Sequence, residues 1–194
     1  DDCNVCSEGD TGHLFNSDID CNGDCFGAAY EDNCGTCDAF ENNDCLTYSI
    51  ELSMGANLIS FNALPTNVSI TSIFSSLGNN ANYIITESAG AYYMSGTWYG
   101  SLQYIEPHRG YWLIIDEDAT IDLDNALPIS SDENQLTYNL HTGNNLVSYP
   151  FSIGQDINDA IDGMDLNNIF AIAGGDAAAQ YFNGSWNGSL DFLE

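Results

Sequence analysis

Gly55-Ala56-Asn57-Leu58-Ile59-Ser60-Phe61 returns as Gly143-Asn144-Asn145-Leu146-Val147-Ser148-Tyr149, and Gly96-Thr97-Trp98-Tyr99-Gly100-Ser101-Leu102-Gln103-Tyr104-Ile105-Glu106 returns as Gly184-Ser185-Trp186-Asn187-Gly188-Ser189-Leu190-Asp191-Phe192-Leu193-Glu194. Both pairs lie 88 residues apart, so two separate motifs keep one register without net insertion. Leu46-Thr47-Tyr48 likewise recurs as Leu136-Thr137-Tyr138. The sequence therefore contains a duplicated unit, and a repeat outranks any local reading of the same residues.

Each unit is expected to open with two short strands around a Gly/Asn turn, near 47–53 and 57–62 in the first, where polar and apolar residues alternate. Within 67–77, Ile70, Ile73, Phe74 and Leu77 recur at helical spacing, and Ile157, Ala160, Ile161 and Met164 answer them in the second unit. One short helix per unit is predicted. Strands follow near 82–87, 91–95 and 102–105, and Gly110-Tyr111-Trp112-Leu113-Ile114-Ile115 with 119–123 closes the first unit. The expected fold is mainly β: two tandem small barrels or sandwiches, 46–133 and 134–194, each with one short helix. The second copy reaches only Glu194, the counterpart of Glu106, and lacks equivalents of 107–115 and the strand after it. A small β unit without its last strands exposes apolar core and unpaired backbone groups. The expectation is that the natural chain continues, or that a strand from a neighbouring molecule fills the gap, as in donor-strand complementation.

Composition separates a different segment at the N-terminus. All seven cysteines and twelve of the 29 acids fall in residues 1–45, and no cysteine follows. Arg109 is the single Lys or Arg in 194 residues, giving a formal charge of −28. Binding to nucleic acid or anionic lipid needs Lys or Arg to neutralise phosphate, so both are excluded as partners. No apolar run approaches the roughly 20 residues of a membrane-spanning helix, and no signal peptide opens at Asp1. A processed, soluble piece without membrane insertion is expected.

Cys3-x2-Cys6 and Cys34-x2-Cys37 have zinc-ribbon or redox spacing,. Flanking Asp1, Asp2, Asp32 and Asp38 disfavour the thiolate that either chemistry needs, which leaves structural disulfides in an oxidising compartment. Asp2-Cys3-Asn4-Val5-Cys6 matches Asp32-Asn33-Cys34-Gly35-Thr36-Cys37 as two copies of one element, and only the second has a cysteine, Cys25, ahead of it. Nearest-neighbour pairing gives Cys6–Cys21, Cys25–Cys34 and Cys37–Cys45, with Cys3 unpaired or bonded to another molecule. Spacing alone leaves other connectivities open.

Between the copies, Asp18-Ile19-Asp20-Cys21-Asn22-Gly23-Asp24 places side-chain oxygens at every second position around a turn-forming Gly. That pattern wraps a hard cation, and Ca2+ is the expected cofactor. Asp18, Asp20, Asn22 and Asp24 are the candidate ligands, with Asp32 as a late one. No bidentate Glu stands at the twelfth position, where Ala29 sits, so the loop is not a full EF-hand.

Residues 20–37, D-C-N-G-D-C-F-G-A-A-Y-E-D-N-C-G-T-C, resemble the Cys/Asp-rich repeats of large secreted bacterial proteins, themselves similar to calcium-bound, disulfide-linked thrombospondin type 3 stalks. The G-x-N-L-I/V-S opening, W-x-G-S-L centre and P-x-x-G-Y-W close of 46–194 resemble a β repeat of very large secreted surface proteins, type IX pathway cargo among them. The resemblance implies an extracellular or cell-surface location and fibre-forming or adhesive roles, with copies of the chain itself as partners. It brings no catalytic residues.

His13, His108 and His141 sit in unlike contexts, and no hydrolase, zincin or phosphate-loop motif appears,. No enzymatic activity is expected. Carbohydrate binding is the rival, since Trp98, Tyr99, Trp112 and Trp186 could stack on sugar rings, although Trp98 and Trp186 share one repeat position as core residues would. Asn67, Asn183 and Asn187 stand in N-x-S sequons and are candidate glycosylation sites,.

Overall fold

The computed structural model describes residues 1–32, 34–40, 46–129, 138–151 and 153–193. They form a mainly β protein with two one-turn helices. In the N-terminal segment, β1 (Tyr30–Glu31) pairs with β2 (Cys37–Asp38) and a 3-10 turn covers Gly9–Thr11. Loops supply the rest.

The first unit runs through β3 (Leu46–Leu52), β4 (Gly55–Ile59), β5 (Ala63–Leu64), α1 (Ile70–Ile73), β6 (Ala81–Ile85), β7 (Gly90–Met94), β8 (Thr97–Gly100), β9 (Tyr111–Ile115) and β10 (Ala119–Pro128). They build a five-stranded sheet of order β4-β9-β6-β7-β8 and a three-stranded sheet of order β3-β10-β5. Alternation along each strand sends one face inward. Tyr111, Leu113 and Ile115 of β9 are buried while Trp112 is exposed. One apolar cluster joins both sheets to α1, with Phe61, Ile70, Ile84, Tyr111, Leu113 and Ile121 at its centre. Phe61 packs edge-on to Tyr111 at 6.1 Å and beside Phe74 at 6.5 Å.

Two expectations change in detail. The helix of 67–77 is a single turn, capped by Ser69, whose hydroxyl accepts from the Ser72 amide at 3.3 Å. Ser and Thr on its solvent side favour capping over continuation, and Leu77 completes the apolar pattern from outside the helix. The strand near 102–105 reduces to one bridge, Ser69 with Tyr104.

The W-x-G-S-L motif has a physical role in both copies. A Cβ on Gly100 would lie 2.2 Å from the Gly90 carbonyl oxygen, and one on Gly188 2.1 Å from that of Ala178. That close approach lets Ser101 and Leu102 donate to the Gly90 carbonyl, as Ser189 and Leu190 do to Ala178. The serine hydroxyls accept from the Gly90 and Ala178 amides, both at 3.3 Å, and Leu102 and Leu190 turn into the interior.

The second unit contains β11 (Gln155–Asp156), α2 (Ile157–Ala160), β12 (Ala171–Ala173), β13 (Ala178–Phe182), β14 (Ser185–Gly188) and β15 (Phe192–Leu193). The order β12-β13-β14 reproduces β6-β7-β8 at the 88-residue offset of the repeat. Its core is much smaller. Ile157, Ala179 and Leu190 form the buried cluster among the described residues, whereas β9 and β10 alone give the first unit six buried side chains.

Gly100→Ala is expected to destabilise the first unit by about 3 kcal/mol, since a methyl must displace backbone rather than a side chain. Gly175→Ala, in open space, should cost less than about 0.5 kcal/mol; urea unfolding measures both. Burial pushes the Tyr111 phenol from 10.0 up to about 12. The folded form holds this proton more tightly than the unfolded one, so the associated stability is complete below pH about 10 and lost as pH climbs towards about 12. Tyr111→Phe should flatten the alkaline unfolding profile in that window while costing about 1 kcal/mol at neutral pH, through loss of the bond accepted from the Glu106 amide at 2.7 Å.

Candidate functional site

The N-terminal segment is organised by aspartates that accept from amides two and four residues ahead. Asp1 Oδ1 takes Cys3 and Val5 at 3.1 and 2.8 Å, Asp20 Oδ1 takes Asn22 and Asp24 at 3.0 and 2.9 Å, and Asp32 Oδ1 takes Cys34 and Thr36, both at 2.8 Å. Asp1 and Asp32 occupy equivalent positions of the short Cys repeat, so the duplication extends to loop geometry. The signal was present in the sequence as a 31-residue offset. The Asp24 amide, followed by those of Ala29, Asn22 and Gly23, holds the Asp20 carboxyl below its usual range despite some desolvation.

The disulfides correct the expected pairing. Cys3 bonds Cys25 and Cys21 bonds Cys37, with Cα separations of 5.4 and 5.8 Å. Cys34 is also disulfide-bonded, Cys45 lies outside the described residues, and Cys6 is the free, exposed thiol. Cys3, expected to lack a partner in the chain, is buried and bonded. Loop geometry explains the difference. The Asp1 loop turns Cys3 inward and leaves Cys6 outside, while the tight turn from Asp20 to Asp24, closed by the Ile19–Cys25 bridge, sends Cys21 and Cys25 to different partners. Closed loops of 22 and 16 residues contribute about 3 kcal/mol each through lost unfolded-chain entropy.

Among the described residues, the acids, histidines and cysteines within 4.8 Å of one another are Asp1, His13 and Asp18. Of the expected ligands, only Asp18 is in this group. Its Oδ2 meets His13 Nε2 at 2.9 Å. Asp20 spends both oxygens on backbone amides, the second on Ala29 at 3.3 Å. Asn22 and Asp24 are exposed, and Asp32 sits in its own loop. Asp1 Oδ2 and Asp32 Oδ2 are shielded from water without a hydrogen-bond donor. An orphaned carboxylate oxygen is costly, and a hard cation relieves that cost. Asp1 lies in the group with His13 and Asp18 whereas Asp32 does not; carboxylate oxygens are the donors a hard cation takes, and the imidazole of His13 does not match calcium's preference for oxygen.

The second candidate is a gap between strands. In the first unit, β9 lies between β4 and β6, with Ile59 opposite Tyr111 on one side and Ile84 opposite Leu113 on the other. Among the described residues of the second unit, β12 pairs with β13 alone, and 143–147, the counterpart of β4, is not a strand. The turn ahead of it nevertheless forms as in the first copy. Asn57 Oδ1 accepts from Ser53 at 2.9 Å and Asn145 Oδ1 from His141 at 2.9 Å. Residues 146–148 instead touch the first unit, where Val147 bridges Arg109 and the Ser148 hydroxyl donates to the Pro107 carbonyl at 2.6 Å. No match was found to protein-family models, curated proteins or solved structures. Phe170, Ile153, Phe182 and Phe192 stand exposed in this unit.

The aromatic candidates divide by face. Trp98 points inward, packed on Tyr93 at 5.2 Å and Phe74 at 5.9 Å. Trp186 packs on Tyr181 at 5.2 Å and its indole nitrogen is buried without an acceptor. Tyr99 and Trp112 face outward. Asn67, Asn183 and Asn187 are all exposed. The described chain contains no helix long and apolar enough to cross a membrane, and its disulfides argue for a compartment outside the cytoplasm,.

Mass mapping under non-reducing conditions should recover Cys3–Cys25 and Cys21–Cys37 peptides, with Cys6 alkylated in the native protein and Cys3 protected; a Cys6–Cys21 peptide would contradict this connectivity. The His141 imidazole is raised above its usual 6.5 by its bond to the Thr142 carbonyl and by the Glu87 carboxylate. The charged form that ties 141–145 to the first unit therefore persists at low pH and is lost as pH rises past that elevated value. Glu87→Gln should move the His141 titration, followed by NMR, downward.

Proposed function

We propose that this chain is an extracellular structural protein, a subunit of a surface fibre or filament. Copies join when a strand from one molecule enters the second unit of another, and calcium stiffens the N-terminal segment as a stalk. The observation that supports this reading is that, among the described residues, β12 pairs on one side alone, with β13, while 143–147 carries β4 sequence without β4 pairing. A strand added beside β12 would satisfy its unpaired backbone groups and cover apolar side chains, as β9 does beside β6 in the first unit.

Charge shapes the assembly. At −28 per chain, copies repel one another. Divalent cations at Asp1, Asp18 and Asp32 would lower that repulsion and relieve the orphaned carboxylate oxygens. Glycosylation at Asn67, Asn183 and Asn187 would decorate exposed positions without blocking the β12 edge. The rival, a carbohydrate-binding or adhesion module of a larger secreted protein, retains Tyr99 and Trp112 as outward rings.

Negative-stain microscopy with calcium should show filaments that shorten or fall apart on chelation. A synthetic peptide of residues 107–116, the first unit's own closing strand, should cap the acceptor and suppress growth, whereas a peptide of the same composition with the apolar alternation scrambled should not. Monomers under all conditions, or a longer natural chain that supplies its own strand after residue 194 and stays monomeric, would overturn the fibre reading. Calorimetric titration with Ca2+ tests the cation separately; Asp32→Asn should weaken binding, and no heat from the unaltered protein would remove calcium from the proposal.

A further inference from the structure

The outer face of the five-stranded sheet carries an aromatic row that the fold does not require. Tyr83, Tyr92 and Tyr99 stand opposite one another across β6, β7 and β8, with ring centroids 6.4 and 5.6 Å apart. Ile85, Met94 and Trp112 flank them, and all six side chains are exposed, from 37% for Trp112 to 52% for Tyr83 and Met94. The outward positions on these strands carry no charge in a chain of −28. The second unit provides an internal control. At the 88-residue offset, Tyr83, Tyr92 and Tyr99 become Ala171, Gln180 and Asn187, and these residues keep the same cross-strand register. A three-stranded meander of this sequence type therefore forms without the tyrosines.

We infer that this face is a docking surface for the same face of a second copy, a lateral contact independent of strand exchange at β12. Three observations select that occupant. The six side chains leave on the order of 500 Å² of largely apolar surface in water, taking roughly 200 Å² for each large side chain. A patch of that size is at the upper end of what monomers expose, where patches are often functional, and approaches the roughly 800 Å² that each partner of a stable interface buries. Charge is the second. Two chains of −28 can approach closely where neither presents a carboxylate, and a two-fold face-to-face pairing superposes neutral strands on neutral strands. Ring geometry is the third. Tyr92 and Tyr99 stack at 24° between planes with centroids 5.6 Å apart, so each ring turns part of one face toward its neighbour. Sugar stacking needs an open ring face; packing against another sheet uses edges and flanking aliphatic chains.

The experiment is sedimentation of the full chain over a concentration series, at salt sufficient to screen net charge, with calcium chelated and the 107–116 peptide in excess so that strand exchange is blocked. The unaltered protein should form a concentration-dependent dimer. The triple variant Tyr83→Ala, Tyr92→Gln, Tyr99→Asn installs the second unit's own residues and should weaken dimerisation at least about tenfold, with circular dichroism and melting temperature nearly unchanged. Tyr92→Glu, one charge at the centre of the face, should act in the same direction if the triple variant folds poorly. Photochemical dityrosine coupling should link Tyr83, Tyr92 or Tyr99 between copies. A strictly monomeric unaltered protein, a dimer insensitive to both variants, or a neutral glycan bound by the monomer and lost in the triple variant would each overturn the assignment. Filaments that survive the triple variant while the dimer is lost would leave strand exchange standing.

Discussion

Backbone amides and carbonyls removed from water must find partners, and in this chain that constraint acts through β9. It is an interior strand of the five-stranded sheet, pairing β4 on one side and β6 on the other while sending Tyr111, Leu113 and Ile115 into the core. The Tyr111 hydroxyl then donates to the Glu106 carbonyl and accepts from the Glu106 amide, fixing the turn that delivers the strand. Around β9 the first unit closes into a single apolar cluster. Among the described residues of the second unit, β12-β13-β14 and the β11–β15 pair form around a much smaller apolar cluster.

That contrast separates the legible from the illegible. The repeat register, the Gly/Asn turn and the presence of one short helix per unit are legible in the sequence, and the Ser69 cap and the Trp-x-Gly-Ser-Leu corner, which the structure adds, likewise rest on residues within a few positions of one another or on a single neighbouring hairpin. Asn145 rebuilds the Asn57 network, and Ser189 rebuilds that of Ser101. Whether 143–147 becomes a strand depends instead on a partner far away in sequence, so residues that repeat the Gly-x-Asn-Leu pattern of β4 end as an irregular segment lying on residues 108–110. Strand propensity is a statement about available neighbours. The short helix and the lost strand near 102–105 belong to the same class, because apolar periodicity records burial without recording which backbone hydrogen bonds accompany it.

Disulfide pairing was illegible for a related reason. Proximity along the chain suggested Cys6 with Cys21, yet three aspartate-anchored loops decide where each cysteine points, and Cys3 rather than Cys6 turns inward. Asp20 shows the cost of reading ligands from spacing alone. Its position in an alternating acidic loop suggests a cation, while its oxygens accept the amides that shape the turn. The shielded oxygens are those of Asp1, Asp18 and Asp32, two of which lie outside the seven-residue motif and one of which, Asp1, was not among the expected ligands.

Net charge gives the remaining uncharged surface its meaning. With 29 acids and a single Arg, most of the exterior repels any copy of itself, and attraction between copies is confined to places where carboxylates are absent or neutralised. The outer face of β9-β6-β7-β8 and the edge of β12 that is unpaired among the described residues are the places proposed for such contact, and they differ in kind: one would offer side chains to another sheet, the other backbone to another strand. An acidic exterior thereby acts as a filter. It suppresses non-specific association along the whole chain, and the two contacts proposed above, one lateral and one directional, are those an acidic exterior would spare; a polymer built on them would use one to grow in length and the other in width.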